Sequence, residues 1–381
     1  MKLFACPACA HVVYFDNTRC SGCGSRLAFD PDLGSMLPLA PSAPAGTPIT
    51  RATEFATVHR ARSGPERTVR LCANYVEHEA CNWSISASDP EPYCRSCRLN
   101  QMIPCLAEHA PAWRRLEAAK RRLVYTLLAL RLPLVSRTDD PRRGLAFAFL
   151  ADTDGSPVVT GHEAGVITIN VAEADDAHRE HTRLQFGEKY RSLIGHFRHE
   201  SGHYYWLRLV DGQPLLGEFR SLFGDERLDY AQSLARHYAE GPRPDWMEYH
   251  VSPYAAAHPW EDWAETWAHY LHITDTLETA RSYGLSLRPD PAGGAPTDTL
   301  RMRELPTSSF DAMISAWVPL TLALNDLNRS MGLQDLYPFP LSPTAIAKLS
   351  FVHRVVDTAS HASTINAGVS DRRPGPRPSR G

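Results

Sequence analysis

Apolar and polar positions alternate with two different periods along this chain of 381 residues. Within residues 165–172, apolar side chains alternate with Thr168 and Asn170, a period of two that is typical of a strand buried on one face. Residues 144–150 form a second short apolar run. Residues 112–132 have apolar side chains at helical spacing, and most of the chain after residue 187 has a helical pattern. The pattern therefore predicts an α+β fold that is mainly helical, with a small β-sheet.

The composition divides the chain into five segments. Residues 1–29 are cysteine-rich and predict a zinc ribbon, and residues 30–50, rich in Pro, Ala and Ser, predict an extended linker. Residues 51–110 predict a second cysteine-rich zinc-binding region. Residues 111–360 carry the strand and helix patterns and predict one large domain, and residues 361–381 predict a disordered basic tail.

Charge and hydropathy exclude several classes of protein. The formal net charge is -3, from 40 Lys and Arg against 43 Asp and Glu, which argues against a polyanion binder driven by bulk charge. The sequence has no apolar run of about 18 residues, so we expect no transmembrane helix. The N-terminus has no long apolar stretch of the kind found in secretory signals. We therefore expect a cytoplasmic protein that does not engage a membrane.

The first four cysteines predict a structural zinc site. Cys6, Cys9, Cys20 and Cys23 form two Cys-x-x-Cys pairs separated by ten residues, and four thiolates are the ligand set that tetrahedral Zn²⁺ prefers. A segment this short cannot build a core by itself, so the metal would supply the folding energy. A redox-active Cys-x-x-Cys is the alternative, but two pairs at this spacing favour a zinc ribbon.

The next four cysteines predict a second structural zinc site. Cys72, Cys81, Cys94 and Cys97 would again leave no open position for a substrate. Cys72 and Cys81 are separated by eight residues, a wider interval than the two residues of a Cys-x-x-Cys pair. Three nearby side chains could take the place of Cys81: His78, Cys105 and His109.

The candidate chemistry lies in the sequence from His196 to Trp206. His199 and His203 are four residues apart, which places both imidazoles on one face of a helix. Glu200 lies about 100° around that helix. This is the H-E-x-x-H arrangement of two zinc ligands and a general base. An ordinary exposed helix that carries the three residues by chance, or a purely structural metal site, is the alternative, and we expect His196 to be a neighbour and not a ligand.

A catalytic zinc needs a third protein ligand. Pro259 suits the first turn of a helix, on which Glu261, Glu265 and His269 would stack at intervals of four. A carboxylate on an apolar face is costly unless it is paired or binds a metal, although a solvated acidic stripe is an alternative. Either glutamate could be the ligand. Three further acidic residues could orient the histidines: Asp225, Glu226 and Asp229.

These motifs resemble those of a known enzyme family. The H-E-x-x-H sequence, with Tyr254 seven residues before Glu261, resembles the gluzincin metallopeptidases and is similar to the branch that contains anthrax lethal factor and the Pro-Pro endopeptidases. The chain also resembles a bacterial family of zinc-binding metallopeptidases with an N-terminal zinc ribbon, on the segments 195–206, 258–272 and 327–339. The resemblance implies a mainly helical zincin-type domain with a small β-sheet edge, preceded by zinc-ribbon modules.

The resemblance also implies a role for each matching residue. His199, His203 and Glu261 would bind the catalytic zinc, the tyrosine spacing favouring Glu261 over Glu265. Glu265 would then hold one of these ligand residues in place without binding the metal itself.

The remaining roles concern the substrate. Glu200 would take a proton from the zinc-activated water and pass it to the leaving amine, and Tyr254 would donate a hydrogen bond to the oxyanion. The strand that contains Thr168 and Asn170 would be the edge on which an extended peptide pairs.

Two hypotheses of function follow. The first is a zinc-dependent peptidase with one catalytic and two structural Zn²⁺ ions, acting on a peptide or protein and using its zinc modules to recruit a partner. The second is a zinc-ribbon module that binds nucleic acid or protein, attached to an inactive peptidase scaffold. A cluster of basic residues supports the second hypothesis: Arg95, Arg98, Arg114, Arg115, Lys120, Arg121 and Arg122.

Overall fold

The computed structural model describes most of the chain, and within the described residues helices predominate over four small sheets. The predicted α+β class is therefore confirmed. The arginines expected in a basic tail lie after position 370, outside the described residues. The structure describes residues 2–42, 44, 46–58, 67–153, 155–185, 191–290, 292, 294, 298–306 and 309–370, with the backbone alone for 363–370.

The N-terminal part of the chain is built on antiparallel strands. Its elements are β1 (Phe4–Ala5), β2 (Val12–Val13), β3 (Arg26–Asp30), β4 (Ser35–Pro41), β5 (Glu54–Thr57), β6 (Thr68–Leu71), α1 (Ala73–Val76) and β7 (Ser84–Ser86). β1 pairs with β2, while β3 to β7 form one five-stranded sheet in which neighbours in sequence are neighbours in space. Phe29 of β3 also packs against Trp83, with ring centroids 4.9 Å apart.

This sheet shows that the predicted linker at residues 30–50 is wrong. Residues 35–41 are the second strand of the sheet, and Met36, Leu37 and Leu39 are buried in the core. The Pro and Ala content of the segment obscured these apolar side chains, whose burial stabilises the strand. Because one sheet joins residues 1–29 to residues 51–110, the two cysteine-rich segments form one structural unit and not two separate modules.

The rest of the chain contains one mixed sheet, one short ribbon and most of the helices. Its elements are β8 (Asn100–Met102), α2 (Leu106–Ala129), β9 (Ala146–Leu150), β10 (Gly161–Glu163), β11 (Val166–Asn170), α3 (Asp176–Gln185), α4 (Leu193–Leu209), α5 (Leu216–Phe223), α6 (Tyr230–Glu240), α7 (Trp246–Tyr249), α8 (Pro259–Tyr283), β12 (Ser286–Leu287), β13 (Leu300–Arg301), α9 (Phe310–Ser330) and α10 (Pro343–Ser370). The predicted boundary at residue 111 falls inside α2. β8 lies before that boundary but pairs with β9 of the large domain.

The mixed sheet corrects the predicted substrate edge. Its strand order is β10-β11-β9-β8, so β11, which contains Thr168 and Asn170, is internal. A tight turn brings β10 back onto β11, with Gly161 opposite Thr168. The amide of Asn170 donates to Asp152 Oδ1 and to the carbonyl of Val158, so this side chain is also engaged within the fold. Among the described residues, the outermost strand on this side of the sheet is β10.

The end of the chain differs from the prediction as well. α10 continues to residue 370, so residues 361–370 are helical and not part of a disordered tail. The buried side chains of Leu349, Val352 and Val356 anchor the earlier turns, and helix propagation through the following Ala-containing sequence adds one hydrogen bond per residue. No helix among the described residues is both long and apolar enough to cross a membrane.

Two long helices cross at the centre of the large domain and approach each other closely. A Cβ atom at Gly202 of α4 would lie 2.9 Å from the Cα atom of Ala264 and 3.2 Å from Trp267, both on α8. Glycine is therefore required at this crossing. The indole of Trp263 donates to the carbonyl of Gly202 at 2.8 Å and fixes the contact. This crossing brings the H-E-x-x-H sequence next to the first turns of α8.

Candidate metal centre

Three of the predicted ligands converge at the crossing of α4 and α8. The nearest ligand atoms of His199, His203 and Glu261 all lie within 4.8 Å of one another. His199 Nε2 lies 3.0 Å from Glu261 Oε2, and His203 Nε2 lies 3.4 Å from Glu261 Oε1. Glu261 is 1% exposed and His203 is 4% exposed. Two imidazoles and one carboxylate are a common ligand set for a catalytic zinc ion.

The same residues are coupled electrostatically. Burial alone would raise the pKa of Glu261, but His203 and His199 hold that pKa well below its usual value. Burial alone would lower the pKa of His199, but the carboxylates of Glu261 and Glu265 raise it well above its usual value. Both shifts have the same cause, the close approach of carboxylate oxygens to imidazole nitrogens.

The two candidate glutamates occupy different positions. Glu265 Oε1 lies 2.7 Å from His199 Nδ1, the ring nitrogen that does not face Glu261. Glu265 Oε2 accepts a hydrogen bond from Ser252 Oγ at 2.6 Å. Glu261 faces the Nε2 atoms of both histidines, whereas Glu265 contacts the opposite side of one ring. Glu261, and not Glu265, therefore lies in the group of candidate ligands.

Glu200 and Tyr254 border this group. Glu200 follows His199 on α4 and is 8% exposed. Tyr254 begins the 3₁₀ turn Tyr254–Ala256, which precedes α8, and its ring centroid lies 6.0 Å from that of His199. Burial, together with the charge of Glu261, raises the pKa of Tyr254. The phenol of Tyr254 therefore keeps its proton at neutral pH.

One residue of the centre was missed in the sequence. Tyr230, the first residue of α6, donates a hydrogen bond from its hydroxyl to Glu261 Oε1 at 2.8 Å. Burial, together with the charge of Glu261, raises the pKa of Tyr230. The sequence offers only a weak signal for this residue, since Asp229 marks the start of a helix but no periodic pattern relates Tyr230 to Glu261.

The acidic residues expected to orient the histidines instead form local ion pairs and a helix cap. Asp225 pairs with Arg227 at 2.8 Å, and Glu226 pairs with Arg220. Asp229 caps α6 by accepting a hydrogen bond from the backbone N–H of Gln232 at 2.9 Å. The expectation that these carboxylates contact the histidines is therefore wrong, because local arginines and a helix terminus are nearer partners.

Aromatic rings and a further histidine surround His203. The ring centroid of Trp260 lies 4.1 Å from that of His203. The ring centroid of His162, which lies on β10, is 6.2 Å from that of His203. His196 is not part of the candidate ligand group. Its Nδ1 atom lies 3.2 Å from Oε2 of Glu173. This wall of the centre is therefore aromatic and connects it to β10.

Both cysteine groups converge as expected. The sulfur atoms of Cys6, Cys9, Cys20 and Cys23 lie within 4.8 Å of one another. The sulfur atoms of the second group also lie within 4.8 Å of one another, and all four residues are buried: Cys72, Cys81, Cys94 and Cys97. Cys81 therefore belongs to the second group, and the three alternatives to it lie outside: His78, Cys105 and His109.

The basic cluster is internally paired. Arg95 lies 2.9 Å from Asp32, and Arg98 lies 2.8 Å from Asp89. Each of the other five has a carboxylate or a backbone carbonyl as its partner: Arg114 with the carbonyl of His78, Arg115 with Asp176, Lys120 with Glu117, Arg121 with the carbonyl of Ala80, and Arg122 with Asp16. These residues do not form one unpaired basic surface for nucleic acid.

Comparisons with known proteins agree with this architecture. Residues 3–108 match a zinc-ribbon domain family, and this range contains both cysteine groups. Residues 109–355 match a family described as "Putative zinc-binding metallo-peptidase", and this range contains the whole candidate metal centre. No solved structure matches the chain.

Two curated relatives match over almost their whole length. "Uncharacterized protein Mb2598c" of Mycobacterium bovis is 42% identical over 364 residues, which cover 94% of this chain and 96% of the relative. "Uncharacterized protein Rv2568c" of Mycobacterium tuberculosis shows the same identity and coverage. Since the match covers residues 109–355, the chain belongs to the family described as "Putative zinc-binding metallo-peptidase", here preceded by a zinc-ribbon domain.

Proposed function

We propose that this protein is a zinc-dependent peptidase. One observation carries the proposal: His199, His203 and Glu261 present their ligand atoms to a common point, with Glu200 next to them on the same helix. Imidazole and carboxylate groups suit Zn²⁺, so the residues present fit the metal. A bound zinc ion would polarise the substrate carbonyl and lower the pKa of a water molecule.

Glu200 is the proposed general base and acid. Its carboxylate accepts a proton from the attacking water and donates it to the nitrogen of the leaving amine, with no covalent intermediate between enzyme and substrate. Its buried position on α4 supports this role because it shields the proton transfer from bulk solvent.

Two other residues complete the proposed machinery. Tyr254 donates a hydrogen bond from its hydroxyl to the oxyanion of the tetrahedral intermediate, and its raised pKa keeps the phenol protonated for this role. Glu265 holds the ring of His199 through Nδ1, so that Nε2 stays directed toward Glu261. We also propose β10, the outermost strand of this sheet among the described residues, as the strand that pairs with an extended peptide.

The two cysteine groups are proposed as structural zinc sites, which gives three Zn²⁺ ions per chain in total. Four thiolates fill a tetrahedral zinc and leave no position for a substrate. We propose a cytoplasmic location, supported by the absence of disulfides among the cysteines of the described residues. A protein partner or substrate bound by the zinc-ribbon domain remains part of the proposal, whereas the paired basic cluster gives no support to a nucleic-acid partner.

The proposal is tested by cleavage of a peptide library, with the products identified by mass spectrometry. The full chain, loaded with zinc, is compared with Glu200→Gln, which keeps the side-chain volume and removes the proton acceptor. We expect hydrolysis by the natural protein and a loss of at least about 100-fold in the variant, with the zinc content unchanged. Equal hydrolysis by both proteins, or no hydrolysis by a fully loaded natural protein, would overturn the proposal.

A further inference from the structure

α6 is a surface helix that contacts the metal centre at its two ends. Ser233 is its only buried residue, and the helix contributes little to the core. At its start, Tyr230 donates to Glu261. Near its end, the ring of His237 lies 5.8 Å by centroid from that of Tyr254. The position of this helix is therefore related directly to the candidate ligand and to the candidate oxyanion donor.

The hydroxyl of Tyr230 is directed at a specific oxygen. It lies 2.8 Å from Glu261 Oε1, the oxygen that also faces His203 Nε2 at 3.4 Å, while Oε2 faces His199. An ionised carboxylate only accepts hydrogen bonds, so the phenol is the donor. Three side chains therefore contact the carboxylate of Glu261: Tyr230, His203 and His199.

A chain of local contacts fixes Tyr230 in place. Asp229 caps α6. The ring of His258 lies 5.3 Å by centroid from that of Tyr230, and its Nε2 lies 3.1 Å from the carbonyl of Leu228. The other nitrogen of His258 accepts a hydrogen bond from the backbone N–H of Trp260 and caps α8, the helix that carries Glu261. His258 therefore connects the starts of both helices.

We propose that Tyr230 is a positioning residue of the metal centre. Its hydroxyl holds Oε1 of Glu261 so that the carboxylate is oriented toward the two histidines before a metal binds, and it thereby connects α6 to the metal ligand. The inference rests on the proposed function, since it assumes that His199, His203 and Glu261 bind zinc. Hydrogen-bond partners behind a ligand commonly change metal affinity by about 10- to 100-fold.

The test uses the full chain with both cysteine sites loaded. Zinc binding at the histidine centre is measured by competition with a chromophoric chelator, for the natural protein and for Tyr230→Phe, which keeps the ring and removes the hydroxyl. We expect zinc binding to weaken at least about tenfold in the variant. Tyr238→Phe is the matched control, because Tyr238 lies on the same helix and is 60% exposed; we expect no change.

A second measurement separates positioning from a general loss of structure. The labile metal is replaced by Co²⁺, and its visible absorption is recorded, with His203→Ala as the blank for the cysteine sites. We expect an altered cobalt spectrum in Tyr230→Phe and an unaltered one in Tyr238→Phe, with similar melting temperatures for both variants after chelation. Zinc affinity and a cobalt spectrum equal to those of the natural protein would overturn the role of Tyr230 and leave the peptidase proposal standing. Failure of the natural protein to bind a third metal would overturn both.

Discussion

His199 and Glu265 form a partly buried contact between α4 and α8, with Nδ1 of the imidazole 2.7 Å from Oε1 of the carboxylate. The two residues are 66 positions apart in the sequence. The contact fixes which nitrogen of His199 is available to a metal, because Nδ1 is engaged and Nε2 is directed toward Glu261. Ser252 donates to the other oxygen of Glu265 and holds the carboxylate in turn.

Replacing Glu265 should therefore weaken metal binding without removing a ligand. In Glu265→Ala, the Nδ1 proton of His199 loses its acceptor and the ring is free to rotate. We expect zinc affinity at this centre to fall by about 10- to 100-fold, measured by chelator competition. Glu248→Ala, a change at an exposed carboxylate of α7, is the control; an equal loss in the two variants would contradict the argument.

The number of zinc ions per chain distinguishes the three sites. Elemental analysis should give three ions for the natural protein and two for His203→Ala, because the cysteine groups do not share ligands with the histidine centre. Cys81→Ser should instead release the ion of the second cysteine group and leave the histidine site loaded. Three ions in His203→Ala would show that this residue is not a ligand.

A buried ion pair supports the helix that carries Glu261. Lys348 Nζ lies 2.5 Å from Asp262 Oδ2 and donates to the carbonyl of Tyr249 at 2.7 Å, and both charged side chains are almost fully buried. Lys348→Met would remove this buried positive charge and leave His250, whose Nδ1 lies 3.0 Å from Asp262 Oδ2, as the remaining side-chain partner. We expect the free energy of unfolding to fall by about 3–5 kcal/mol, measured by urea denaturation.

The control for this prediction is an exposed pair formed by Arg354, which lies on α10 as Lys348 does. Arg354 pairs with Glu218, and both side chains are close to half exposed. Arg354→Met should cost no more than about 1 kcal/mol, because solvent already screens the pair. A loss of similar size in the two variants would show that burial does not determine the effect.

The free energy of unfolding should also depend on pH, because His269 takes up a proton at a different pH in the folded and unfolded states. Burial lowers the pKa of His269 to about 4, whereas an unfolded chain has the ordinary value of about 6.5. As the pH falls from 6.5 toward 4, the unfolded state takes up a proton that the folded state does not, so the free energy of unfolding decreases with falling pH. The stability is fully present above pH 6.5 and is lost progressively below it.

His269→Gln should remove this contribution. The slope of unfolding free energy against pH should become shallower by up to about 1.4 kcal/mol per pH unit between pH 6 and 4, measured by urea denaturation across that range. His361→Gln is the control, because the His361 side chain is 73% exposed. An unchanged slope in His269→Gln would mean that His269 takes up its proton equally in both states.

Local sequence patterns predicted the parts of the protein that depend on neighbours in the chain. The spacing of His199 and His203 places both rings on one face of α4, because a helix repeats every 3.6 residues. The alternation around Ile169 predicted β11 for the same reason, since side chains alternate along a strand. The short Cys-x-x-Cys intervals likewise predicted groups that converge.

Tertiary structure decided everything that depends on which surfaces meet. Glu261 and Glu265 lie one turn apart on α8. Only the crossing with α4 directs Glu261 toward the Nε2 atoms of both histidines and Glu265 toward Nδ1 of His199. Tyr230 reaches Glu261 from another helix, and β10 covers the edge of β11 that the pattern left open. The periods of helix and strand define faces, but the packing of distant segments selects the partner of each face, and that selection leaves no local repeat in the sequence.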